Sequence, residues 1–298
     1  MKIRLNLFTT PDWYQHFIPL FAYTWLKAWP QYGIDVAVMG ELDSVTREAL
    51  TGQDSVKIRV IGDDGEDTEG LVATQNVLDY IPVKDSTANT ARYLFLKNLL
   101  GLDGIFITDI DFLFFDCGED IIQWHIKKMK ELNTCYYTHH GPWKKPERFP
   151  GAWKGEFERL ACGAVYLSNE WFVRCAKSLA EYSKQLKSGD IGLYREQDEV
   201  ILCRICKENL LPINTDKTYP SMLRGIHLGD FRTDMHHRWT NMAKMMVKLT
   251  NDNCLKYLEM KQNDTRWQKL CDIVCSGDNK MKLIFDNLHE HLRQRGLM

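Results

Sequence analysis

Apolar positions in the first half of the chain fall into short runs that alternate with helix-spaced segments. Ile3 to Phe8 reads as a strand that stops at Thr9-Thr10-Pro11-Asp12. Tyr14 to Trp29 carries Phe17, Leu20, Phe21, Thr24, Trp25 and Ala28 at three- and four-residue intervals, the spacing of one helix face. Pro30 and Gly33 close that helix. Ile34 to Met39 and Val56 to Ile61 read as the second and third strands, followed by an acidic, Gly-containing loop from Gly62 to Gly70. Thr87 to Leu100 returns to helical spacing through Ala91, Leu94, Phe95, Asn98 and Leu99. Alternating strands and helices predict an α/β sheet.

Ile105-Phe106-Ile107-Thr108-Asp109-Ile110-Asp111-Phe112-Leu113-Phe114-Phe115 breaks this pattern most informatively. A buried strand is normally continuous in apolar residues, and ionised carboxylates inside one are costly unless paired or bound to metal. Two aspartates at a strand mouth form a hard oxygen donor set suited to a divalent cation carrying phosphates. The plainer alternative is a strand running into an acidic turn.

Downstream, Thr138 to Gly155 reads as a loop containing His139-His140-Gly141-Pro142-Trp143-Lys144-Lys145-Pro146, Arg148, Pro150 and Trp153. A long Pro/Gly/Trp loop in a compact domain is usually functional or mobile. Its indoles could stack on sugars or bases and its lysines attract phosphates, or the tryptophans could simply be buried. Leu160 to Leu167 is a further strand, and Glu170 to Lys187 and Gln197 to Glu208 are helices. Ile226-His227-Leu228-Gly229-Asp230 lies in a turn-rich region. From Asn241 the pattern is almost wholly helical, through Met245, Leu249, Leu255, Leu258, Leu270, Ile273, Val274, Leu283, Ile284 and Leu288. The expected division is residues 1–235 as the α/β domain and 236–298 as a helical extension.

Composition narrows the function classes without naming one. The 298 residues carry a formal net charge of −2, which does not suit a general nucleic-acid binder. From His236 onward eleven Lys and Arg stand against seven Asp and Glu, a tilt rather than a basic patch. No run approaches the roughly 20 apolar residues of a membrane span, and the first residues lack a signal-peptide pattern, so a cytoplasmic protein is expected. The nine cysteines have no framework spacing and are read as reduced thiols. Cys203 and Cys206 fall in an apolar helical pattern with no second pair, which favours a core role over half a zinc site; Cys271 and Cys275 are read the same way.

The order of these features resembles the GT-A-fold glycosyltransferases, most closely the retaining, glycogenin-like branch that uses nucleotide-diphosphate sugars. That order is Thr-Thr-x-Asp-x-Tyr after the first strand, a basic helix residue, Asp-x-Asp, a small-Gly strand, an acid/amide helix start and a late His-x-Gly. The likeness covers roughly residues 1 to 235. It implies a Rossmann-like mixed sheet flanked by helices, with a helical C-terminal subdomain outside it. It implies that Phe8, Thr9, Thr10 and Tyr14 hold the nucleobase and ribose, with Tyr14 stacking on the base. It places Arg92 near the diphosphate and donor sugar, Asp109 at the ribose and metal, and Asp111 and His227 on the metal. A mixed oxygen and nitrogen set suits Mn²⁺, with Mg²⁺ the alternative. Cys162 and Gly163 match the turn lining the donor sugar, and Gly229 and Arg232 the late diphosphate segment, with Arg232 in place of the family's lysine.

Gln197 and Asp198 match the acid/amide pair near the anomeric carbon, although Glu196 to Glu199 can slide by two residues. Ala161 departs from the polar residue the family carries before its small-Gly turn, and the late histidine motif is one residue shorter than usual. The donor implied is a nucleotide-diphosphate sugar, expected to be a UDP-sugar, transferred with retention. The acceptor stays open among a glycan, a protein side chain, a lipid headgroup and a hydroxymethylated DNA base. A haloacid-dehalogenase-type phosphatase also uses Asp-x-Asp, but on its first strand and before a small Gly/Thr turn. A nucleotidyltransferase needs a Gly-rich basic loop where Thr9-Thr10-Pro11-Asp12 stands. A non-catalytic sugar- or nucleotide-binding relative does not require the intact aspartate pair.

Overall fold

The computed structural model describes residues 3–9, 13–39, 42–53, 56–61, 92, 102–142, 159–191, 197–212, 225–232 and 250–298. Its main sheet is built from β1 (Ile3–Thr9), β2 (Gly33–Met39), β3 (Val56–Ile61), β4 (Gly104–Ile107), β6 (Tyr136–Pro142) and β7 (Arg159–Ser168). The order across it is β3-β2-β1-β4-β7-β6. The first four strands are parallel, and β7 runs antiparallel to both neighbours. This is the mixed α/β sheet expected. Strand β4 is buried along its whole length, which explains its uninterrupted Ile-Phe-Ile run.

Helices α1 (Phe17–Ala28), α2 (Ser44–Leu50), α3 (Ile121–Glu131), α4 (Asn169–Ser188) and α5 (Gln197–Glu208) flank the sheet. Helix α1 begins as a 3-10 turn, Trp13–His16, rather than as the α-helix predicted from Tyr14. Its inner face, with Phe17, Ile18, Leu20, Phe21 and Trp25, is fully buried. Trp25 packs on Phe106 of β4 at 5.8 Å and on Phe114 at 5.5 Å, tying the helix to the strand that carries the aspartates.

The sequence pattern missed α2, α3 and β6. The first two start on aspartate caps: Asp43 accepts from Thr46 N at 2.7 Å, and Asp120 from Ile122 N at 2.8 Å. The predicted loop from Thr138 is corrected at its start, because His139 to Pro142 continue β6 after a register shift. Antiparallel pairing with β7 overrides their weak strand propensity, and Pro142 is tolerated at the end of a strand with one described neighbour. The rest of that loop, the acidic loop from Gly62, the helix around Arg92 and the start of the tail with Met245 and Leu249 lie outside the described residues.

The tail forms α6 (Asn251–Asn263), α7 (Thr265–Gly277) and α8 (Asn279–Gln294). Leu255 and Leu283 lie in helices, as their spacing predicts, on faces that are 52% and 38% exposed. Trp267, Leu270, Val274, Met281 and Leu288 join the same core as Phe17, Leu20 and Ile34. Helix α7 packs on α1 and α2, with Gly277 against Val45 where a Cβ has no room. Each tail helix starts on a capping side chain: Thr250, Asp264 and Asp278. Two of these caps also dock the tail. Asp264 accepts from Tyr23 Oη at 2.7 Å and Lys27 Nζ at 2.5 Å, and Asp278 lies 3.0 Å from His16 Nδ1. The other ring nitrogen of His16 is 2.6 Å from Asp43, so one imidazole links the caps of α2 and α8.

Candidate active site

In an open α/β sheet, ligands bind beyond the carboxyl ends of the strands, where the strand order reverses. Here that point lies between β1 and β4, because the chain lays β2 and β3 on one side of β1 and β4 on the other. Thr9 ends β1, and the Thr108 to Asp111 loop follows β4 at the same edge. The sheet topology thus puts the two aspartates at its natural ligand crevice.

Local pairing then adds a histidine. Strand β5 (Phe112–Leu113) runs antiparallel to β8 (Ile226–His227), with Phe112 opposite His227. Gly225 precedes β8 at φ +64°, with the Leu113 carbonyl against its Cα, a position that requires glycine. Leu228 N donates to Asp111 O at 2.7 Å, and the Phe112 ring stacks on the His227 imidazole at 4.5 Å and 17°. Asp230 Oδ1 lies 3.3 Å from His227 Nδ1, which orients the ring so that Nε2 faces Asp111 Oδ1 at 3.1 Å.

Asp109, Asp111 and His227 each offer a ligand atom within 4.8 Å of the others. Asp111 is only 5% exposed, and its Oδ1 faces the His227 imidazole at 3.1 Å. Burying such an atom is costly unless something binds it. Gly229 keeps the space open: a Cβ there would collide with Asp111 Oδ2 and come within 2.9 Å of His227 Nε2. The donor set and the glycine-kept cradle fit a divalent cation. Burial pulls the His227 pKa down, but the charge of Asp111 and the hydrogen bonds to Asp111 and Asp230 raise it well above the usual value.

Two arginines complete the constellation. Arg92, 6% exposed, donates to Asp109, and Arg232 donates to both Asp111 Oδ2 and the Tyr14 hydroxyl. The Arg232 guanidinium also lies 4.3 Å from the Tyr14 ring centroid and 5.8 Å from that of Trp13. Lys280, in the first turn of α8, sits 4.9 Å from the Trp13 ring. Tyr14, expected to stack on a base, has its hydroxyl and its ring engaged by Arg232. From behind, Asn287 of α8 donates to Phe231 O at 2.9 Å and braces the 3-10 turn Leu228–Phe231.

No protein-family model and no curated protein matches the chain. Among solved structures, similar chains include glycosyltransferases. The galactosyltransferase LgtC, solved with donor and acceptor sugar analogues, is 14% identical over 67% of this chain and 69% of its own, at a TM-score of 0.38. Core-mannan synthase A from Aspergillus fumigatus, in a Mn/GDP form, is 10% identical over 69% of each chain, at 0.44. The glycosyltransferase GlyE of Streptococcus pneumoniae is 9% identical over 97% of this chain and 64% of its own, at 0.42. With every TM-score below 0.5, the chemistry of this site rests on its own geometry.

Of the residues expected at the site, Asp109, Asp111, His227, Arg92, Arg232, Gly229 and Tyr14 come together. Phe8 and Thr9 end β1, Cys162 and Gly163 lie in β7, and Gln197 and Asp198 open α5. Thr10 and Glu196 lie outside the described residues. Cys203 and Cys206 are buried in α5, in keeping with a core role. Phe112, Asp230 and Trp13 carried no expected role. The signal for Asp230 was its i,i+3 spacing from His227; Trp13 gave none, because Arg232 and Lys280 reach it only through the tertiary fold.

Proposed function

We propose that this protein is a metal-dependent glycosyltransferase that moves a sugar from a nucleoside-diphosphate donor to an acceptor. The observation that carries the proposal is the Asp109, Asp111 and His227 cluster at the β1/β4 crevice, flanked by two arginines. Residues 1–235 form the catalytic part in this reading, and 236–298 a helical extension that braces it. No helix among the described residues is long and apolar enough to cross a membrane.

Breaking a sugar–phosphate bond leaves a diphosphate that gains negative charge, so the site needs cations aimed at the leaving group. Asp109, Asp111 and His227 would hold Mn²⁺ or Mg²⁺, which supplies Lewis-acid stabilisation of that charge. Arg92 and Arg232 supply fixed positive charge beside the phosphates, and a guanidinium can present two parallel donors to them. Tyr14 and Trp13 set the orientation of Arg232. Phe8, Thr9 and Thr10 are the residues assigned to the nucleoside, and Cys162 and Gly163 those assigned to the donor sugar. Gln197 and Asp198 are the side chains assigned to the oxocarbenium-like carbon, and the transfer is read as retaining, from a UDP-sugar.

The test is a panel of nucleotide sugars, with and without MnCl₂, read by thermal shift and donor hydrolysis. Specific ligand binding raises apparent stability by mass action. Wild type should respond to one donor in the presence of metal, and Asp111→Asn should lose the metal-dependent response. A full response in that variant refutes the proposal.

A further inference from the structure

Each carboxylate of the cluster already holds a cation. Arg92 pairs with Asp109, and Arg232 pairs with Asp111. Two guanidiniums against two carboxylates leave this quartet neutral before any ion arrives. The Arg232–Asp111 pair is largely buried, with side chains 14% and 6% exposed, and Arg92, at 8%, reaches a half-buried Asp109 at 35%. Arg232 also stands among the ligand atoms. Its Nη2 and His227 Nε2 lie 2.8 and 2.9 Å from one point above Gly229, which also abuts Asp111 Oδ2.

We infer that Arg232 is a resident counter-cation, which neutralises Asp111 until a divalent ion takes that carboxylate and the guanidinium turns to an anionic diphosphate. The inference rests on the metal–diphosphate reading above and extends it to the order and coupling of binding. A divalent ion arriving alone has to break the Arg232–Asp111 pair and then stays beside a like charge. A diphosphate arriving alone finds both arginines committed to carboxylates. Arriving together, each removes the obstacle to the other, because the ion takes the carboxylates and the anion takes the guanidinium. Tyr14 makes the exchange local: its hydroxyl and ring keep hold of Arg232, so the side chain can pivot without leaving the site. Linkage requires the ion and the diphosphate to tighten each other by the same factor.

Calorimetry with MnCl₂, UDP and GDP on the intact chain tests this. In wild type, Mn²⁺ should bind about tenfold or more tightly once a nucleoside diphosphate is present, within the usual range of coupling between two sites. Independent binding of the two overturns the inference without any variant. Arg232→Gln should bind Mn²⁺ alone about tenfold more tightly than wild type, with weaker nucleotide affinity and a smaller coupling factor. Arg232→Lys, which keeps the charge but not the fork, should fall between the two. Mn²⁺ affinity in Arg232→Gln equal to or weaker than that of wild type overturns the inference, while the metal site itself stands. Asp111→Asn separates the two ideas: it should lose Mn²⁺ binding with either residue at position 232. Absence of Mn²⁺ binding in every protein, with and without nucleotide, removes the metal reading and this inference together.

Discussion

Replacing Gly229 with alanine adds one carbon at the centre of the proposed metal site. The backbone is no obstacle, because Gly229 lies in a 3-10 turn and is not among the glycines with positive φ. All of the effect therefore falls on the neighbours. The new Cβ would stand 2.8 Å from Arg232 Nη2 and 2.9 Å from His227 Nε2, and closer still to Asp111 Oδ2. Comfortable contacts begin near 3.5 Å, so each group has to retreat by roughly 0.6 Å or more. Arg232 can swing, but Asp111 is buried and His227 is clamped between Phe112 and Asp230. Metal ligands tolerate displacements of only about 0.2 Å, and disturbing their support typically costs 10–100-fold in affinity, roughly 1.4–2.7 kcal/mol. Calorimetric or EPR titration with Mn²⁺ should show that loss. Mn²⁺ affinity within twofold of wild type would refute the geometry assigned to the three ligands.

Other parts of the molecule give independent tests. Burial in α3 holds the His125 pKa at about 4, so its neutral ring stabilises the fold fully above the unfolded value of about 6.5. That stability should decline by roughly 3 kcal/mol as the pH falls toward 4, so urea titrations should find a steeper slope in wild type than in His125→Leu; equal slopes would remove the assignment. Asp264 is held at about 2: its burial acts to raise the pKa, but Lys27, the Trp267 N–H and Tyr23 more than offset that. Its contribution, about 1–2 kcal/mol after allowing for the exposed Lys27, is present above pH 3.8 and lost as the pH falls through 2. Asp264→Asn should therefore be less stable than wild type at neutral pH, with the gap narrowing in acid; a gap that persists there contradicts the ion-pair account. Asn287→Ala removes the brace on Phe231 O and should weaken Mn²⁺ binding several-fold, with about 1 kcal/mol of destabilisation. Unchanged Mn²⁺ affinity would show that the turn holds its shape without the tail.

The candidate aspartates were legible because they break a local rule, interrupting an apolar run at Asp109 and Asp111, whereas His227 was reached only through the resemblance. Strand β6 was not legible, because His139, His140, Gly141 and Pro142 are held in a strand by their partner rather than by their own preference. The exposure of Leu255 and Leu283 is a tertiary matter, since helical period alone cannot say which part of an apolar stripe meets the α/β half. The arginine pairs were out of reach for the same reason: Arg232 meets Asp111 across 121 residues, and Tyr14 across 218.

The Asn287 brace has a consequence for biosynthesis. A chain leaves the ribosome N-terminus first, and domains fold as they emerge. The Leu228–Phe231 turn emerges 56 residues before the side chain that supports it. Asp264 and Asp278, which start α7 and α8, reach their docking partners Tyr23, Lys27 and His16 only when the first helix is already in place. The nascent α/β half is thus a template for the tail, and the Leu228–Phe231 turn stays unsupported until the tail has settled on it. The turn that carries Gly229 gains its brace only after the sheet that carries the aspartates has been made.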